Sequence, residues 1–233
     1  MSTNAEEIKR IVIIGTGGNC IDILDTLLDI NRAQGKTVYE CIGFLDDDPT
    51  KQGQSFFGVS VLGALRDAAM FRNCHFVFGI GSPSNFRRRR EILERTGLRD
   101  ECFETIIHPT ASISSMARIG TGTVIFQNVT VTSNVVIGRH VYVLPNSVIS
   151  HDVHIGDFTC IASAACISGN VQIGESCYIG ANASIRENIR IGTLSMVGMG
   201  SVVIKNVPTH STVLGNPARQ KALPNGINHM SGG

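Results

Sequence analysis

His151 and Asp152 stand side by side in the second half of this 233-residue chain. Histidine titrates near neutrality and can take a proton from a reacting group; an adjacent carboxylate can orient the ring and stabilise its charged form. Of the seven histidines, His75 begins an apolar run, His108 falls in a connector and His229 in a tail, while His140, His151 and His154 lie in a repetitive region. The chain has no Gly-x-Ser-x-Gly elbow and no cysteine with a histidine pair at a recognisable spacing. The residues therefore point to direct transfer rather than to a covalent intermediate.

Binding chemistry concentrates upstream, in Gly15-Thr-Gly-Gly-Asn19, Asp46-Asp47 and Gly81-Ser-Pro-Ser-Asn85. Read as Gly-x-Gly-x-x-Gly, the first turn carries Cys20 in place of the third glycine, and the acidic pair lies further on than the roughly 20 residues of a dinucleotide fingerprint. That disfavours a nicotinamide dinucleotide. A phosphate at the N–H-rich end of the following helix fits better.

A ladder of period six must position His151. From Ile113 to Val203 every sixth residue is Ile or Val, sixteen in succession. Ile119, Ile137, Ile155, Ile173 and Ile191 are each followed by Gly, which adds a period of eighteen. Neither a helix nor simple strand alternation has these periods. They describe a parallel β-helix with three faces per coil, its ladder side chains pointing inward and its coils about 4.8 Å apart. The recurrent glycine serves positive φ or room for a close neighbour. Sixteen hexapeptides make a little over five coils. The places one coil away from His151 hold Ser133 and Gly169, so the fold itself does not demand a histidine there.

Upstream of about residue 110 the sequence reads differently. Strand-like runs at 11–15, 39–45, 59–62, 75–80 and 103–107 alternate with helical patterns at 21–30, 65–71 and 85–96. Such alternation predicts a small parallel α/β sheet. Ligands of these sheets sit beyond the strand C-terminal ends, where the three binding segments converge.

Formal net charge is +1, and Arg87–Arg90 is the sole large like-charge block, which gives no reason to expect nucleic-acid binding. At least two of those arginines are expected on a solvated helix face, with one left to offset phosphate charge. Seven scattered cysteines without a CxxC, and no signal peptide, indicate reduced thiols and a cytoplasmic protein. No apolar run approaches eighteen residues, so no transmembrane helix is expected.

Seven segments carry a resemblance: Ile-Ile-Gly-Thr-Gly-Gly-Asn (13–19), Gly-Phe-Leu-Asp-Asp-Asp-Pro (43–49), Ile-Gly (80–81), His-Pro-Thr-Ala (108–111), His-Asp-x-x-Ile-Gly-Asp-Phe (151–158), Ser-Gly-Asn-Val (168–171) and Gly-Asn-Pro-Ala (215–218). Over nearly the whole chain it resembles the sugar O-/N-acyltransferases of the sialic-acid O-acetyltransferase and bacillosamine-biosynthesis N-acetyltransferase type. The resemblance implies a homotrimer of left-handed β-helices, with acetyl-CoA as co-substrate in the groove between adjacent helices and no metal. It further implies N-acetylation of a nucleotide-linked 4-amino-deoxy sugar for surface glycan synthesis.

Carried over to this chain, the resemblance makes His151 the general base and Asp152 its orienting partner. Nine residues beyond, where relatives often have a second histidine near the thioester, stands Cys160, a weaker donor. No cation is evident beside it to activate it, so a nucleophilic role is not expected. Gly169 would offer its N–H to the thioester, and Gly180, Gly198, Gly215, Asn216 and Pro217 would follow CoA. Gly17, Gly18, Asn19, Asp46, Asp47 and Gly81 would hold the nucleotide sugar, with Gly18-Asn19 replacing the family's Gly-His pair. The expected organisation is a Rossmann-like domain at 1–108, a β-helix at 109–207 and a cap and tail at 208–233. O-acetylation of sialic acid, a non-catalytic scaffold and a carbonic-anhydrase-like metal enzyme are the alternatives. The last fits poorly, because His140 and His154 lack convincing ligand spacing.

Overall fold

A computed structural model describes residues 8–221; His229 and the rest of the tail lie outside the described residues. The first unit is built on β1 (Lys9–Ile14), α1 (Gly18–Gln34), β2 (Tyr39–Leu45), β3 (Ser55–Phe56), β4 (Val59–Gly63) and β5 (His75–Phe78). The sheet order is β3-β4-β2-β1-β5, with β3 alone antiparallel. β1 is buried along Ile11–Ile14, as a central parallel strand covered on both faces must be. α1 starts after Gly17 and stops at Gly35, whose φ of 63° is the left-handed cap that ends helices. Of the helix expected at 85–96, only α2 (Arg89–Glu94) is α-helical, after a 3₁₀ turn at Phe86–Arg88.

The strand expected to close this sheet does not. β6 (Ile106–Ile107) pairs in parallel with Val124–Ile125 of the solenoid, and Phe103 alone bridges to Phe76. Ile107 lies six residues before Ile113, so the ladder begins one rung earlier than the Ile/Val pattern at 113 indicates.

The solenoid has three faces of two-residue strands. The first runs through Ser112, Thr130, Val148, Cys166, Ser184 and Val202; the second through Arg118, Val136, His154, Gln172 and Arg190; the third through β6, Val124, Tyr142, Cys160, Tyr178 and Met196. Strands pair in register with those eighteen residues away, as in Val131 with Ile149 and Ile149 with Ile167. The inward ladder forms one core from Ile125 to Val213.

The recurrent glycine answers to crowding: a Cβ on Gly156 would lie 2.6 Å from the Gly174 carbonyl carbon of the next coil. Positive φ belongs to another position. At every sixth residue from Gly122 to Gly200 the backbone is left-handed, and six of those fourteen residues are asparagine.

The α/β unit covers the third face. Val124, Tyr142 and Cys160 are buried in one cluster with Ile11, Ile23 and Leu27. The arginine run lies at this junction: Arg87 and Arg88 are exposed, as expected of at least two of the four, while Arg89 is buried. Arg87 Nε donates to Leu194 O (2.9 Å), Arg89 Nη1 to Phe158 O (2.7 Å) and Arg90 Nη2 to Glu175 (2.8 Å). Only Arg88 pairs within its own segment, with Glu91.

Candidate active site

The C-terminal ends of β1, β2 and β5 open into a pocket of about 530 Å³ whose far wall is the third face of the solenoid. Gly17, Gly18, Asn19, Asp46 and Gly81 all line it, together with Lys51, Tyr142 and Cys160. The convergence read from the strand ends is therefore real. A Cβ on Gly17 or Gly18 would meet nothing within 4 Å, so the start of α1 is open to a ligand. The helix has no side-chain cap and no acidic residue in its first turn, which leaves its N–H groups and positive dipole end available. Asn19 Nδ2 donates to Gly81 O at 2.8 Å and ties this turn to the end of β5.

The acidic pair divides. Asp46 faces the pocket, accepting from Thr16 Oγ1, from Lys51 Nζ at 3.2 Å and from its own loop at Asp48 N–H. Asp47 does not line the pocket. Its carboxylate accepts from Leu65 N–H at 2.9 Å and lies 3.6 Å from Arg95. It caps the 3₁₀ turn Leu65–Met70, whose first N–H would otherwise lack a partner. The geometry thus sets Asp47 outside the lining of the pocket that was expected to hold the nucleotide sugar.

Cys160, expected near the thioester, lies at this pocket. It is 4% exposed and forms part of the pocket wall under Gly81, whose added Cβ would lie 3.1 Å from its Sγ. A cation does adjoin it: burial raises the thiol pKa while Arg89 opposes that rise, and burial prevails.

His151 lies on the edge between the first and second faces, away from this pocket. Its ring is exposed, and Nδ1 is 2.8 Å from Asp152 Oδ2. Asp152 in turn accepts from Asn134 Nδ2 at 2.7 Å. The Asn134 bond, followed by that to His151, holds the Asp152 carboxyl below the usual carboxylate range. With Nδ1–H given to Asp152, Nε2 keeps its lone pair and lies beside Gly169, the arrangement a general base requires. Gly169 makes room for the ring: a Cβ there would lie 2.5 Å from His151 Cε1.

Gly180 and Gly198 stack on the edge between the third and first faces, where a Cβ on Gly180 would press on Gly198 and Met199. Gly215, Asn216 and Pro217 close the last coil. Gly215 N–H donates to Ser201 Oγ, Ala218 N–H donates to Val202 O, and the Asn216–Pro217 bond is cis. The residues read as following CoA thus lie on two edges flanking the first face. Two other histidines are occupied otherwise: His108 with Thr110 and Asp29, and His140 buried between Phe103 and Phe158. Among the described residues no three His, Cys, Asp or Glu gather as a metal site.

Sequence reasoning passed over Lys51, Asn134 and Tyr142, and it did not single out Thr16 or Arg89 within the segments that contain them. Asn134 was within reach, standing one coil before Asp152. Tyr142 carries no such signal, because its outward strand position would be solvated without the docked α/β unit.

Residues 10–96 match the PglD N-terminal domain, and residues 134–169 and 170–205 match the bacterial transferase hexapeptide (six repeats). A mutant of perosamine N-acetyltransferase from Caulobacter crescentus, solved with CoA and GDP-perosamine, is similar at 27% identity over 93% of this chain and 98% of that one, with a TM-score of 0.80. The acetyltransferase domain of PglB from Neisseria gonorrhoeae is 29% identical over 91% and 100%, TM-score 0.80. WeeI from Acinetobacter baumannii is 26% identical over 91% and 100%, TM-score 0.76. No curated protein sequence matches the chain. An α/β domain followed by a left-handed parallel β-helix with this pocket defines an acyltransferase. The chain joins a PglD N-terminal domain to bacterial transferase hexapeptides and is similar to the hexapeptide-repeat sugar acyltransferases.

Proposed function

We propose that this protein is an acetyl-CoA-dependent N-acetyltransferase acting on the amino group of a nucleotide-linked 4-amino-deoxy sugar, in the cytoplasm, for surface glycan synthesis. The observation that carries the reading is the open start of α1 facing Asn19, Asp46 and Gly81 in a chain similar, over nearly its full length, to an enzyme solved with both CoA and GDP-perosamine. A pyrophosphate suits the N–H groups of α1, and Asp46 accepts hydrogen bonds from the nucleoside or sugar while Lys51 balances its charge.

His151 Nε2 takes the proton as the amine attacks the thioester carbon. Asp152 stabilises the imidazolium, and the Gly169 N–H meets the developing oxyanion. As the oxyanion collapses the C–S bond breaks, the imidazolium gives its proton to the leaving sulfur, and CoA leaves as the thiol. Neither Cys160 nor a metal takes part.

The geometry further supports a homotrimer with shared sites. In a three-faced prism, the edge bearing His151 lies opposite the third face, which forms the pocket wall. One chain cannot bring the two together, but a neighbouring copy can. The first face carries only Ser, Thr, Val and Cys at its outward positions, with Val148 38% exposed. Its flanking edges hold His151 and Gly169 on one side and Gly180 and Gly198 on the other. Packing between copies would join one edge of each into a groove for CoA.

Thiol release from acetyl-CoA, measured against a panel of UDP-, GDP- and dTDP-linked amino sugars and sialic acid, tests the reading. Release with a nucleotide amino sugar is expected. Release with sialic acid alone would make it an O-acetyltransferase, and no release with any acceptor would remove the activity.

A further inference from the structure

Arg89 is the bulkiest side chain wholly withdrawn from solvent. Its Nε donates to Ile80 O at 2.8 Å and its Nη1 to Phe158 O at 2.7 Å, while Nη2 is buried without a partner. The guanidinium lies 4.2 Å from the Tyr142 ring centroid and 5.2 Å from that of Phe78. Both acceptors are neutral carbonyls, and no ion pair with Arg89 occurs among the described residues. A buried charge left without a counter-ion is costly and is retained where something else answers it.

What lies beyond it is the pocket. Tyr142 and Cys160 form the intervening wall, and Gly81, next to Ile80, presses on both, its added Cβ 3.0 Å from Tyr142 and 3.1 Å from Cys160. The pocket's own charged lining residues, Asp46 and Lys51, pair at 3.2 Å and largely cancel. An uncompensated charge thus lies directly behind the pocket wall, where low polarisability lets the field reach further than at the surface.

We propose that Arg89 is a specificity-determining and positioning residue for the acceptor: it holds the Ile80–Gly81 turn against the solenoid, and its unpaired charge, acting through the Tyr142–Cys160 wall, makes the pocket select a diphosphate-bearing ligand. The inference rests on the reading of this pocket as the acceptor site. It explains why the junction uses a charged side chain where two carbonyls could have been met by a neutral amide.

The test is calorimetric titration of the full-length protein with UDP, GDP and dTDP and with the matching uncharged nucleosides, for wild type, Arg89→Gln, Arg89→Lys and Lys51→Met. The readout is the ratio of diphosphate to nucleoside affinity, which a loss of packing alone would not move. Arg89→Gln should lower that ratio by about tenfold, Arg89→Lys should restore most of it, and Lys51→Met should cost less than Arg89→Gln. A folded Arg89→Gln that keeps the wild-type ratio overturns the proposal, as does a wild type that binds diphosphates no better than nucleosides. If Arg89→Gln does not fold, Lys51→Met decides: a ratio kept within about threefold supports the buried charge, and its disappearance assigns the preference to Lys51 and overturns the proposal. A retained preference with no acetyl transfer to any acceptor would defeat the transferase reading and leave this one standing.

Discussion

At the scale of single residues, His151 depends on three neighbours that cost the fold little. Asp152 orients the ring, Asn134 orients Asp152, and Gly169 stays out of its way. His151→Ala is expected to lower turnover by about two to four decades, the loss that follows removal of a general base, with the assembly intact by sedimentation. Asp152→Asn should lose less. Gly169→Ala removes no polar group, yet its methyl would take the place of the ring edge, so turnover should fall while acetyl-CoA affinity changes little. Wild-type turnover in His151→Ala would mean that substrate positioning suffices. Cys160 makes a contrasting case: its thiol is buried and its pKa raised despite the adjacent Arg89. Cys160→Ser should stay substantially active, and acetyl-CoA alone should leave no acetylated enzyme detectable by mass.

At the scale of elements, the Ile/Val ladder made the solenoid legible, because an inward side chain recurs wherever the strand does. The strand ends of the α/β unit likewise placed Gly17, Gly18, Asn19, Asp46 and Gly81 in one pocket. What stayed hidden was decided by docking. Arg89 looks like its neighbours in a local reading and is buried only because this segment meets corners distant in sequence, where Arg87 and Arg90 also find partners. Asp47 looked equivalent to Asp46 until the Leu65 turn claimed it. The left-handed corner was legible but obscured, since asparagine shares that place with His140, Phe158 and Leu194. Asn188, exposed at φ 61°, tests its cost. Asn188→Ala should destabilise by about 1 kcal/mol in chemical denaturation and Asn188→Gly should not, because asparagine's short polar side chain eases the left-handed backbone, alanine lacks it, and glycine has no Cβ to clash. The junction also has a pH signature. Burial pushes His140 below the ordinary histidine range, with the Asp100 hydrogen bond opposing. Its native pKa is therefore below its unfolded one, and the unfolded chain binds the extra proton first. Stability should be full above the unfolded histidine value and should decline as pH falls below it, reaching its limit beneath the native pKa. His140→Phe should flatten that decline in melting temperature, and an unchanged slope would assign the proton elsewhere.

At the scale of the whole molecule, the separation of His151 from the pocket decides how many chains make one site. The α/β unit occupies the third face, and His151 occupies the opposite edge. A site completed between copies predicts complementation between two inactive variants. His151→Ala leaves the pocket intact. Gly17→Phe blocks the pocket without backbone strain, since Gly17 has φ −72° and an added Cβ meets nothing within 4 Å. Each variant alone should be nearly inactive. Co-expressed in equal amounts and purified through a different tag on each, they should assemble mixed trimers. In these, each holding both kinds of chain, a sound pocket of one chain meets a sound His151 of the next at one of the three contacts, so about a third of wild-type turnover should return. Heterologous packing matters here, because each contact is directional and pairs one chain's edge with its neighbour's pocket. Activity that never rises above the sum of the two parents would mean that each chain carries its own base to its own pocket. A monomer active on sedimentation would say the same, and His151 would then have to yield its role to a group on the pocket side of the solenoid.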